Sequence, residues 1–96
     1  MDDLDPDAVH DRTSFLNFVS ALAANRLASV AVEAETPGSP YGPAAFGWEN
    51  ITIESFLEAA VSWADDTGTD EGHNGLPVEP SWHAFAVFLY CGKIYE

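Results

Sequence analysis

The chain has 96 residues, 47 % of them hydrophobic, and 16 Asp and Glu against three Lys and Arg, for a formal charge of −13. That length allows one small domain, and so high an apolar content, with twelve aromatics, excludes intrinsic disorder. A surface this acidic repels phosphate backbones and anionic lipid, which excludes direct nucleic-acid binding and docking on a membrane surface.

The opening "MDDLDPD" has neither a basic region nor an apolar stretch, so it does not read as a secretory signal. The longest uninterrupted apolar run, "AFAVFLYC" at 84–91, is far shorter than the roughly 20 residues of a membrane span. A single cysteine permits no intrachain disulfide, and a cytoplasmic setting is expected. Residues 1–11 hold five aspartates and read as an acidic, frayed lead-in, with residues 12–96 forming the domain.

Helical periodicity begins in "DRTSFLNFVSALAANR", where Phe15, Phe18, Val19, Leu22 and Ala23 fall on one face. Asp11 or Thr13 is placed to cap this helix. The following "LASVAVEAE", 27–35, fits strand alternation and helical spacing alike; its alanines, and the lack of a partner strand, favour helix. "TPGSPYGPAAFG", 36–47, is a Pro/Gly-rich loop whose two overlapping P-x-x-P matches lack the basic flank of a recognition motif.

"NITIESFLEAAVSWADD" carries the clearest stripe, Ile53, Phe56, Leu57, Ala60, Trp63 and Ala64. Asn50 or Thr52 caps its start, and Trp48, just ahead of the cap, can fold back on the first turn as a hydrophobic staple. Its far end breaks a rule: Asp65 and Asp66 oppose the helix dipole. Glu54, Glu58 and Asp65 share one face without basic neighbours, which makes that face a candidate partner surface. The polar loop "TGTDEGHNGLPVEP" fails the EF-hand spacing, since counting from Asp66 puts Glu71 and Pro77 where glycine and glutamate are needed.

"SWHAFAVFLYCGKIYE" reads as a helix capped by Ser81 and apolar nearly all round, hence central; a strand or hairpin turning at Gly92-Lys93 is the competing reading. Catalytic signals are missing. Cys91 has no adjacent base in sequence and sits in the most apolar stretch. His10, His73 and His83 have no paired ligand spacing, and no phosphate loop or dinucleotide fingerprint is present.

The order "SFLNFVSAL", "SPYGPAAFGWENITIESFLEAAVSWADD", "PSWHAFAVFLYCGKIYE" resembles a family of small bacterial proteins grouped as a domain of unknown function. The shared marks are Gly47-Trp48-Glu49-Asn50 before a helix, Trp63 late in it, and the closing Tyr95-Glu96. The resemblance runs from Ser14 to the end, agrees with the helical reading and implies no activity.

The expectation is therefore an all-α, single-domain bundle of three to four helices, with the Pro/Gly-rich loop before the third. Its expected role is a non-catalytic module, inhibitor or immunity-like, that docks on a basic protein and needs no cofactor or metal. Imitation of nucleic acid is the runner-up, and a merely soluble structural domain the plainest alternative. Candidate binding residues are Trp48, Glu49, Asn50, Glu54, Glu58, Asp65, Tyr95 and Glu96, with Trp48-Glu49-Asn50 leaning to a structural role.

Overall fold

The computed structural model describes residues 4–35, 45–68 and 75–95, and among these the architecture is all-helical. Three α-helices follow in chain order: α1 (Arg12–Glu35), α2 (Ile53–Thr67) and α3 (Trp82–Ile94), with single 3-10 turns at Pro6–Ala8 and Ala45–Gly47. The ambiguous segment 27–35 continues the first helix without a break, so α1 runs to 24 residues. The Pro/Gly-rich loop over 36–44, His73 and Glu96 lie outside the described residues.

Two helices open on the same device. Asp11 accepts the Ser14 N–H on its carboxylate (2.8 Å) while the Ser14 hydroxyl accepts the Asp11 N–H (3.1 Å). Thr52 and Ser55 repeat the exchange at α2, at 3.1 and 3.2 Å. These reciprocal bonds satisfy amides that have no partner within the helix. The cap of α2 is thus Thr52, and Asn50 is released for another task. Ser81 caps α3 by accepting the Ala84 N–H at 3.0 Å. Gly68, at φ 73°, closes α2 in the left-handed region that favours glycine.

α3 is the hub, with α2, α1 and the N-terminal 3-10 turn all packed on it, whereas α1 and α2 make little direct contact. The core collects Val9, Phe18, Leu22, Trp48 and Ala86, with Phe15, Val19, Phe56 and Leu89 against it. Residues 4–10, read from the sequence as a frayed lead-in, place Val9 in that core, and Leu4 packs beside it. The reason is local: Asp5 caps the 3-10 turn through the Asp7 N–H, and Asp7 then reaches His83 on α3 at 3.2 Å.

The stripe of α2 divides. Ala60 and Trp63 are buried, but Ile53 and Leu57 are 79 % and 50 % exposed, on a helix that α1 scarcely contacts. α1 is itself unusual. By length and composition it is apolar enough to cross a membrane, which corrects the expectation that no segment is, since such a span tolerates Ser, Asn and a lone Arg. In the fold it lies against α3 through Phe18 and Leu22.

Gly92 marks the closest approach of α3 to α2. A Cβ there would stand 2.8 Å from the Phe56 carbonyl oxygen and 3.2 Å from its ring. Helix propensity alone favours alanine at this position by about 1 kcal/mol. Gly92→Ala should instead destabilise the protein by about 1–3 kcal/mol through overpacking, read as a lower urea midpoint at unchanged slope. A gain in stability would show that the two backbones can separate freely.

Candidate functional site

Trp48 is the pivot of the region singled out by sequence. Phe46 (φ 63°) and Gly47 (φ 79°) stand consecutively in the left-handed region and reverse the chain just ahead of it. A β-carbon makes that conformation strained at Phe46. The turn delivers the indole inward, where it is 4 % exposed and its Nε1–H donates to Asn25 of α1 at 2.7 Å. The Arg26 guanidinium lies 5.6 Å from the ring centroid and the Lys93 ammonium 5.4 Å. Phe56, in the first turn of α2, stacks at 6.1 Å, so the staple-like contact forms.

The two following residues serve a different helix from the one expected. The Glu49 N–H donates to the Lys93 carbonyl at 3.0 Å. Asn50 Nδ2 donates to the carbonyls of Gly92 and Tyr95 at 2.9 and 2.7 Å. These carbonyls belong to the C-terminal end of α3, where no intrahelical donor remains. Trp48-Glu49-Asn50 therefore ties the start of α2 to the end of α3, and its geometry is that of a structural clasp.

Tyr95 also joins α2, its hydroxyl donating to Asp66. That bond gives Asp66 a use at the negative end of α2, the placement that looked unfavourable in sequence. It raises the Tyr95 phenol above its ordinary value of 10.0, first through the hydrogen bond, then through desolvation and the nearby charge. Asp65 stays exposed and turned outward with Glu54 and Glu58, so the three carboxylates do form one row on α2.

Beside the first two of these, Glu54 and Glu58, lies a groove of about 490 Å³. Its walls are Val19, Leu22, Ala23 and Arg26 from α1, and Ile53, Phe56 and Leu57 from α2, with Leu89 and Trp48 also lining it. Glu54 and Glu58 directly follow Ile53 and Leu57, which sets them about 100° further round the helix on the outer lip. The sequence reading missed this groove, because Ile53 and Leu57 carry the same signal as core positions.

It also missed the Asp7–His83 pair, 76 residues apart in sequence. A second cavity, of about 420 Å³, holds that pair together with Ser81, Trp63 and Cys91. Neither nucleophile there is prepared. The Ser81 hydroxyl is engaged as the cap of α3, and burial pushes the Cys91 thiol up to about 11. Among the described residues, no three His, Cys, Asp or Glu side chains converge as a metal site would require.

Among the described residues, fold and site together define a small all-α domain with an apolar groove open between its first and second helices. The chain belongs to the family of unknown function DUF7660, which it matches over residues 11–96. No curated protein and no solved structure matches it.

Two titrations check the electrostatics. Alkylation of Cys91, the sole thiol, should be slow at neutral pH and rise as pH climbs toward about 11; a rate already at plateau near pH 8 would show the thiol to be less shielded. Phenol ultraviolet titration of the Tyr95→Phe variant should lose one group titrating above 10.0, the ordinary value, and Asp66→Asn should return that group toward it. The bond needs the neutral phenol. Its contribution to stability is therefore complete below the unfolded value and is lost as pH rises through the folded one.

Proposed function

We propose that this protein is a non-catalytic, cytoplasmic binding module that takes a basic amphipathic helix of a partner protein into the groove between α1 and α2. The observation that carries this reading is an apolar groove with two carboxylates, Glu54 and Glu58, along one lip. An amphipathic helix lays its apolar stripe into such a groove, and Lys or Arg beside that stripe would meet Glu54 and Glu58, with Asp65 further along the same helix face. Charge would speed encounter and Ile53, Leu57 and the groove floor would supply affinity. An inhibitor or immunity-like protein works in this way, by occupying a surface instead of transforming a substrate.

Ser81, held in the cap of α3, and Cys91, kept protonated by burial, support the non-catalytic part. Imitation of nucleic acid is the weaker reading. Its row of three carboxylates is short, and the apolar stripe beside it has no counterpart on a phosphate backbone.

Affinity capture from native lysate should recover a basic protein at low salt and release it as salt rises. Leu57→Asp should abolish capture. The Glu54→Gln/Glu58→Gln/Asp65→Asn variant should weaken it by roughly tenfold, the worth of a few exposed ion pairs. Retention of no basic protein across the salt series would overturn the proposal, and displacement of the partner by duplex DNA would favour mimicry.

A further inference from the structure

Among the described residues, Arg26 is the only charged side chain that lines the groove. It is half-buried, and although the chain holds 16 Asp and Glu, none in the described residues stands within ion-pair distance of it. Both of its polar contacts are to neutral oxygens. Nη1 donates to the Ser29 hydroxyl at 3.1 Å, and Nη2 lies 3.5 Å from the Ile51 carbonyl. A guanidinium carries five N–H donors in its plane, so three remain. Stacking on Trp48 engages the face of the group and leaves that plane open. A carboxylate answers such a fork with two parallel bonds.

The position of Arg26 says which carboxylate. The α1 wall is Val19, Leu22, Ala23 and Arg26, about 10 Å of helix. Arg26 is its last residue, and its reach to Ile51, just ahead of α2, bridges the two walls at that end. A ligand lying along the groove therefore presents its end to this guanidinium. The end of a helix that suits a cation is the C-terminal one, where four carbonyls lack partners and the dipole is negative. The lip agrees. Glu54 follows Ile51 by one helical turn, at this same end, and Lys or Arg is favoured in the last turn of a helix. Both charges ask for one direction. A helix that also ends its chain there brings carbonyls and a carboxylate to a single point.

We infer that the groove takes the C-terminal helix of its partner, with the last turn beside residues 51–54 and the free α-carboxylate paired with Arg26. This rests on the groove reading above and adds the direction and the chain end of the partner. Net charge works against it, since a chain at −13 repels one more carboxylate. A preference for a free carboxylate can come only from a local contact.

The probe is a synthetic amphipathic peptide of about 15 residues, near the length at which an isolated helix holds. It carries leucines at helical spacing and lysines in its last turns, and is made with a free or an amidated C-terminus. In calorimetric titration of the full chain, the free acid should bind tighter by about tenfold or more, the worth of a charge-assisted pair. Arg26→Gln should bind the two forms alike, and Arg26→Lys should keep a smaller preference. A merely structural role for Arg26 would weaken both forms equally. A nitroxide at the second-last residue of the peptide should broaden the amide signals of Ile51 and Thr52 before that of Val19, and one at its first residue should reverse the order. Equal affinity for the two forms, or the opposite broadening, would overturn this inference and leave the groove reading standing. Binding of neither form would overturn both. Decanoate that binds more tightly than the free-acid peptide would overturn it as well, by making an acyl chain the occupant.

Discussion

The structure depends on one indole held between two cations. Of the three Lys and Arg in a chain of charge −13, Arg26 and Lys93 both lie over the Trp48 ring. Lys93 is 5 % exposed, and a buried ammonium is costly unless its surroundings compensate. The faces of the Trp48 and Tyr90 rings supply part of that compensation. Because Asn25 and Arg26 come from α1, Phe56 from α2 and Lys93 from α3, this contact joins three helices of which two scarcely touch. The bundle is closed by a loop residue.

This placement has an electrostatic consequence. Committing Arg26 and Lys93 to Trp48 leaves Arg12, at the start of α1, as the cation that stands in solvent. The acidic residues of α2 then face outward without a compensating base on their own helix. An anionic field of this kind favours cationic partners at long range and says little about affinity, which must come from apolar contact. The groove supplies such contact beside Glu54 and Glu58, and Trp48, bonded to Asn25 of α1 and stacked on Phe56 of α2, is one of its walls.

Local pattern accounts for much of the fold. Ser81 is legible as a cap ahead of an apolar-periodic run, and Asp11 and Thr52 each as one of two candidates, beside Thr13 and Asn50. All lie within a few residues of the amides they satisfy. α1 and α2 were legible for the same reason, although α1 was read as two pieces because nothing in a run of alanine and valine marks where a helix continues. The candidate site was legible in its residues and not in its use. Trp48, Glu49 and Asn50 stand out in sequence as a group before α2, and their polar bonds go to other helices.

What the sequence determined by itself is the helical class, the helix starts and the acidity, since capping, periodicity and charge act over one or two turns of chain. Tertiary structure alone decided the rest. Asn50 reaches carbonyls 42 and 45 residues away. Asp66 and Tyr95 meet across 29 residues, and Asp7 and His83 across 76. Gly92 reads in sequence as a weak helix residue and is required by a backbone 2.8 Å from where its side chain would begin. Such pairings depend on which helix faces which, and that is settled only when the whole core closes around Trp48. Whether Ile53, Leu57 and Leu27 face inward or outward is decided in the same step, because an apolar residue carries the same local signal whether the chain itself covers it or leaves it open.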